Sequence, residues 1–285
     1  MRVVVTGAAG HLGAAVVEGF SREHEVVGLV RADLDITDRA AVLARMRALA
    51  PHAIINCAAY NDVDAAQARP IPALDTNAFG VLALARAAEH CAAAFVHFST
   101  DFVFDGQTDR PYTEADEPRP LSFYGVTKLL GEGFATGPQR HYILRVESIF
   151  GGPTAGTTAR DGSLGSIVRK LRAGEEVAVF TDRIVTPSYA PDIAGAVESL
   201  LMLSAASGLY HCVNPGPATW ETIAREAAAI LGVSPNLRLI TLDALTLAAS
   251  RPRYCAMSAD KLGLAGVTLR PWRAALAAWL AKAPV

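Results

Sequence analysis

RVVVTGAAGHLG, residues 2–13, is the stretch that decides the fold of this 285-residue chain. RVVVT is a short β-branched run that stops at Gly7 and reads as a strand. HLGAAVVEGFSRE, which follows, carries apolar residues at helical spacing. A strand, a glycine turn and a helix in that order form a corner suited to phosphate. Gly7 permits the tight turn, Gly10 lets backbone approach a pyrophosphate, and Gly13 lets the helix lie close to the sheet, with phosphates meeting the amides at the helix N-terminus. The spacing is G-x-x-G-x-x-G rather than G-x-G-x-x-G, so the loop taken alone also fits an ordinary turn.

The same alternation continues outward. EVVGLV is a second strand, residues 35–50 (DITDRAAVLARMRALA) a helix opened by acidic and hydroxyl residues, and AIINCAA a buried strand. A helix over residues 72–91, the strand AFVHFST, a helix carrying Tyr124 and Lys128, and the strand HYILRVESIFG come next. The fold class expected is α/β: a Rossmann-type doubly wound parallel sheet with a smaller α/β substrate-binding lobe. The dinucleotide-binding domain is placed at 1–150, with 189–213 (PDIAGAVESLLML and GLYHCV within it) returning to it. The substrate-binding lobe is placed at 151–188 and 214–285, where TWETIAREAAAILG is a helix opening on Thr219 and Thr222. GGPTAGTTARDGSLG reads either as a loop that closes over substrate or as a connector. Gly7, Ala58, Thr100 and Glu147 fall at carboxyl ends of strands, where such sheets bind ligands.

Tyr124 and Lys128 stand four apart in YGVTK, on one face of a helix, shortly after Ser99, Thr100 and Asp101. A phenol with a pKa near about 10 is a reluctant acid at neutral pH, and a neighbouring ammonium favours phenolate. Hydride arriving at a carbonyl carbon makes the oxygen an alkoxide, which a tyrosine proton and the Thr100 hydroxyl can meet. Tyr-x-x-x-Lys on its own also fits any amphipathic helix. Beside the glycine corner it points to redox chemistry on a carbonyl or alcohol.

Composition limits the alternatives. A hydrophobic share of 51% with 19% charged residues describes a folded globular protein, and a formal charge of -2 offers no basic surface for nucleic acid. No apolar run reaches the roughly 20 residues of a membrane span, and MRVVVTG enters a strand directly, so no membrane partner and a cytoplasmic location are expected. Cys57, Cys91, Cys212 and Cys255 are far apart and read as buried thiols. The seven histidines form no ligand cluster, so no metal is expected.

TGAAGHLG, DLDITD, INCAAYNDVDAA, FSTDFVFDG, YGVTKLLGE, PSYAPDIA, GLYHCVN and RPRYCAMSADKL, in this order, resemble the dTDP-4-dehydrorhamnose reductase family within the short-chain dehydrogenase/reductase superfamily, nearly end to end. The resemblance implies NAD(P)H-dependent reduction of the 4-keto group of a nucleotide-linked (dTDP) 6-deoxyhexose. Thr100, Tyr124 and Lys128 would be the catalytic trio, with Lys128 also on the cofactor ribose. By the same matching Gly7, Gly10, His11, Leu12, Gly13, Asp35, Ile36, Ala58, Ala59, Tyr60, Asn77 and Ser99 line the cofactor side, with Tyr124 and Lys128 shared. Two other roles of such a fold stay open: an epimerase that returns its hydride, and a non-catalytic NADP-binding regulatory subunit. Phe102 stands where dehydratases carry a glutamate, which argues against dehydration.

The substrate-side candidates are Asp101, Glu147, Ser148, Arg183, Thr186, Pro187, Ser188 and Arg251. LRVESIFG departs from the family's usual Thr-Ser-Trp run at Glu147 and Ser148. Glu147 is read either as an acceptor for sugar hydroxyls or as a structural partner of Arg145 or Arg183, and a surface salt bridge is the alternative for Arg183 and Arg251. Arg31, at the end of the second strand, suits a 2'-phosphate, so NADPH is expected, with NADH possible. AWLAKAPV lacks the acidic cluster with which some relatives bind magnesium between subunits, so the chain is expected as a monomer or homodimer without that contact. His97, Trp220 and Trp272 are read as packing residues, and His11 as a loop residue acting through its backbone.

Overall fold

The computed structural model describes residues 1–152 and 162–282. Most of GGPTAGTTARDGSLG, including whichever role that loop has, lies outside the described residues, as do the last three residues of AWLAKAPV. In chain order the elements are β1 Arg2–Thr6, α1 His11–Phe20, β2 Glu25–Leu29, α2 Arg39–Leu49, β3 Ala53–Asn56, α3 Val63–Ala68, α4 Pro70–Leu74, a π-turn Asp75–Gly80, α5 Val81–His90 and β4 Ala94–Thr100. A 3₁₀ turn Asp101–Val103 leads to α6 Phe123–Ala135, β5 His141–Val146, β6 Ile149–Phe150 and α7 Ser163–Arg172. Then come β7 Val177–Phe180, β8 Ile184–Val185, β9 Ser188–Tyr189, α8 Ala190–Met202, β10 Gly208–His211, β11 Ala218–Thr219, α9 Trp220–Leu231, β12 Leu237–Ile240, α10 Asp260–Leu264 and α11 Trp272–Lys282.

β10-β5-β4-β3-β1-β2 form one six-stranded parallel sheet. The chain steps from β1 out to β2 and then back across to β3, so the order reverses between β1 and β3, where a crevice opens at the carboxyl ends. β3 and β4 are buried along their whole length because helices cover both faces, which is why they read as unbroken apolar runs. On one face α1 and α8 pack Val16, Phe20, Ile193 and Val197 on the sheet; on the other α2 and α5 contribute Val42, Met46 and Leu84. A separate core unites α7, α9 and α11 with β7, around Leu164, Ile223, Trp220 and Trp272. Thr219 caps α9, accepting from the Thr222 amide at 3.1 Å.

Two expectations shift in detail. The helix over 72–91 is three segments, with the π-turn placing Asn77 inward between α4 and α5. The strand through HYILRVESIFG stops at Val146, because Ser148 takes a left-handed conformation (φ 45°) and sends β6 away to pair with β9. Cys212 and Cys255 are buried thiols, whereas Cys57 and Cys91 are only half-buried. His97 is buried in β4 and meets the Asn56 amide at 3.2 Å.

The glycine corner has the geometry its sequence implies. Gly7 has φ 68°, and a Cβ there would stand 2.6 Å from the Ala58 amide, so β1 and β3 end too close together for any side chain. A Cβ on Gly13 would run into the Gly7 carbonyl. Gly13→Ala is therefore expected to lower stability by about 1–3 kcal/mol, the usual range for forcing a methyl into a filled site. A urea midpoint equal to wild type would contradict this contact.

Candidate active site

β1, β3 and β4 are neighbours in the sheet, so Gly7, the segment from Cys57 to Tyr60, and Thr100 emerge side by side. Gly10 opens α1 in an extended conformation, with no side-chain cap and no acidic residue in the first turn. Among the described residues the first amides of α1 thus lack side-chain acceptors at the very corner where a pyrophosphate would sit, and a Gly10 Cβ would meet only the Gly7 carbonyl. His11 is the first helical residue, and Leu12 is buried beneath it. Asn77 clamps the loop after β3: its Oδ1 accepts from the Tyr60 amide at 2.8 Å, and its Nδ2 donates to the Tyr60 carbonyl and to Thr127 Oγ1. The Asn77 side chain positions this loop through those bonds.

Arg31 is exposed and pairs with Asp35 at 3.3 Å, while Asp35 also accepts from the Thr37 amide and hydroxyl. Those Thr37 bonds, with the help of Arg31, hold the Asp35 carboxyl below its ordinary range. Ile36 is buried and fills the space above Gly80.

Tyr124 and Lys128 are both buried on the inner face of α6. Gly125 and Gly131 permit this: a Cβ on the first would strike the Phe102 carbonyl and on the second the Asn77 carbonyl, so α6 lies directly on the 3₁₀ turn and the π-turn. Phe102 meets the Tyr124 ring edge-to-face at 5.5 Å, and Tyr60 and Val63 complete an apolar wall. Burial, reinforced by the charge of Asp101, pushes the Tyr124 phenol up, while the Thr100 hydroxyl beside it pulls the other way. Lys128 Nζ donates to the Phe98 carbonyl at 2.5 Å, and burial draws its pKa down to about 8 against the opposing charge of Glu132. The ammonium therefore faces the strand, and burial, the Asp101 charge and the Thr100 hydroxyl act on the phenol.

The polar residues under the site form two groups. Arg145 makes a bidentate pair with Glu132 at 2.8 and 2.7 Å, and Ser99 donates to the same Glu132. This corrects one expectation, since Arg145 is not the partner of Glu147; the Ser99 hydroxyl bonds beneath the sheet end. The second group is buried beside Tyr124. Thr100 Oγ1 donates to Asp101 Oδ1 at 2.9 Å, and Arg183 stands 3.8 Å from Asp101 Oδ2 and 5.3 Å over the Phe102 ring. Glu147 Oε2 accepts from the Thr186 amide and hydroxyl at 2.7 and 2.9 Å, and its amide donates to Ser188 Oγ at 3.2 Å. Arg183 is therefore a buried counter-charge and not a surface residue. Arg251 does form a salt bridge, bidentate to Asp64 on α3. Pro187 separates Thr186 from Ser188 and fixes the backbone that presents both. Sequence reasoning missed Phe102 as a wall of the site and Cys255, whose thiol lies beside Asp101 and Glu147. Only the closeness of RPRYC to DFVFDG in space reveals the latter, through Gly106, whose φ of 75° brings it against Arg253.

Residues 1–284 match the family model described as the RmlD substrate binding domain. The chain belongs to this family. Among RmlD-family relatives, it is 35% identical to the dTDP-4-dehydrorhamnose reductase of Streptomyces griseus, over 96% of this chain and 91% of that one. It is equally 35% identical to the dTDP-4-keto-6-deoxy-D-glucose reductase of Streptomyces niveus, over 96% and 95%. The crystal structure of Bacillus anthracis dTDP-4-dehydrorhamnose reductase in complex with NADP superposes with a TM-score of 0.91 at 29% identity, covering 99% of both chains. A Thermus thermophilus UDP-glucose 4-epimerase shares the fold, with a TM-score of 0.80 at 20% identity over 99% of this chain and 98% of that one.

Proposed function

We propose that this RmlD-family chain is a cytoplasmic NADPH-dependent reductase of the 4-keto group of a dTDP-linked 6-deoxyhexose, acting as a monomer or homodimer. The observation that carries the reading is the placement of Tyr124, Thr100 and Lys128 around the switch-point crevice, next to a helix N-terminus left uncapped for a pyrophosphate. NADPH bound there supplies a hydride. Tyr124 donates its phenolic proton to the carbonyl oxygen as charge develops on it, and its raised pKa keeps that proton in place until an alkoxide, a far stronger base, forms. Thr100 places a hydroxyl at the same oxygen, and Lys128 holds positive charge beneath the crevice. Phe102, Tyr60 and Val63 keep water from the reacting atoms.

The test is NADPH absorbance with freshly generated dTDP-4-keto-6-deoxyhexose isomers. Oxidation of NADPH in step with sugar reduction is expected; conversion of the sugar without net NADPH loss would favour an epimerase, and the absence of any conversion would favour a regulatory subunit. The cofactor preference has its own check. Arg31 is exposed, and its long surface contact with Asp35 at 3.3 Å can be exchanged for a 2'-phosphate. Arg31→Ala is expected to raise KM for NADPH about tenfold, equivalent to about 1.4 kcal/mol, and to leave NADH unchanged. Parallel losses with both cofactors would assign Arg31 to the fold.

A further inference from the structure

The Asp101 and Glu147 carboxyls are each buried, and each has one oxygen without a hydrogen-bond partner among the described residues: Asp101 Oδ2 and Glu147 Oε1. One oxygen from each, with the Cys255 thiol, lies within 4.8 Å of the others. Among the described residues, two carboxylates this close, out of water, with one guanidinium beside them, carry one negative charge too many. A single proton cures both faults, since it removes the excess charge and gives one carboxyl a donor. Among the described residues, the groups facing the pair are Arg183 from the β7–β8 segment, Cys255 from the RPRYC segment, Tyr124 from α6 and, on the Glu147 side, Tyr254. Arg183 is their only cation among the described residues. Burial raises both carboxyls, and Asp101 raises Glu147 further.

The pair is also connected to the chemistry. Thr100 bonds Asp101 on one side and interacts with the Tyr124 phenol on the other, so Tyr124, Thr100, Asp101 and Glu147 form a row. We propose that Asp101 and Glu147 hold one proton between them and return it through the Thr100 hydroxyl to Tyr124 after each turnover, with Glu147 as the positioning residue that keeps this proton in the site. The inference rests on the reductase reading for its second half. Reduction of a ketone consumes one proton: the phenolic O–H of Tyr124 breaks as the alcohol O–H forms, leaving phenolate. With the pair's proton on Asp101 Oδ1, the Thr100 hydroxyl accepts from Asp101 and turns to the phenolate, reversing the bond it donates to an ionised Asp101: the phenolate takes the Thr100 proton, Thr100 takes the proton of the pair, and the pair, now doubly ionised beside Arg183, takes one from solvent. No reactant beyond NADPH, ketone and a solvent proton is required.

Two measurements decide this. The first needs no substrate: infrared spectroscopy of the wild type at neutral pH should show the carbonyl stretch of a buried neutral carboxylic acid, shifted in D₂O and absent from Glu147→Gln. Absence of that band from the wild type, or its persistence in both Glu147→Gln and Asp101→Asn, would overturn the shared proton. The second is stopped-flow NADPH oxidation. Tyr124 begins each experiment with its own proton, so Glu147→Gln should show a burst, its first turnover about 10²-fold faster than its own steady state, the lower end of what a positioned proton-transfer group contributes. A steady state equal to wild type, or a first turnover slowed as much as later ones, would overturn the return path. Failure of the wild type to reduce any keto-sugar would instead count against the reductase reading and leave the infrared band to decide the proton.

Discussion

Tyr124→Phe is expected to lower kcat by at least about 10³-fold, within the range attributed to a positioned general acid, while NADPH still binds with wild-type affinity. The substitution removes only the phenolic oxygen. The ring keeps its edge-to-face contact with Phe102 at 5.5 Å and its place against Ala66 and Ala73, so α6 and the packing around it remain as they are. The oxygen lost is the only side-chain atom of Tyr124 able to give a proton to an alkoxide, and neither neighbour replaces it. The Thr100 proton is directed to Asp101, and Lys128 is turned to the Phe98 carbonyl. Fluorescence titration with NADPH, run beside the rate assay, separates the two effects. Residual activity within tenfold of wild type would show that another group protonates the product.

Arg145→Met should have the largest effect on stability, a loss of about 3–5 kcal/mol, because it strands the Glu132 charge in a site where almost no solvent reaches either partner. Glu132 would keep the Ser99 hydroxyl as its remaining hydrogen-bond donor among the bonds described, and the ring of Phe104 would lose the guanidinium that lies 4.9 Å from its centre. The pair joins β5 to α6 directly below Lys128, so the loss should be felt as cooperative unfolding of the main sheet. Replacing both residues together, Glu132→Leu with Arg145→Met, should recover part of the stability, since the stranded carboxylate is gone while Lys128 loses the charge that favours its ammonium. Urea unfolding of the single and double variants measures this. A double variant no more stable than Arg145→Met would mean that the hydrogen bonds, and not the stranded charge, dominate.

The alternation of strands and helices was legible because its signals are local. β-branched runs, helical spacing and the glycines at 7, 10 and 13 each report on a few consecutive residues, and the parallel sheet follows from stringing them together. YGVTK was legible for the same reason: spacing of four places Tyr124 and Lys128 on one helical face, and both are indeed buried there. What each side chain then bonds to was not legible. Glu147 had two arginines as prospective partners, and the sequence offered no means of choosing. Arg145 lies two residues before it, yet β5 ends at Val146 and the left-handed Ser148 turns the chain away, so Arg145 turns to α6 while Glu147 turns to Thr186.

The sequence by itself determined the doubly wound sheet, the glycine corner and the helix that carries Tyr124 and Lys128, because propensity, periodicity and φ requirements act over a few bonds. The tertiary structure alone decided the direction of the Lys128 ammonium, the pairing of Arg145 with Glu132, and the meeting of Asp101, Glu147, Arg183 and Cys255. These groups come from segments up to 154 residues apart, from Asp101 to Cys255. Their charges act on one another only when folding removes the water between them, and that dielectric is a property of the packed molecule, which no stretch of sequence possesses.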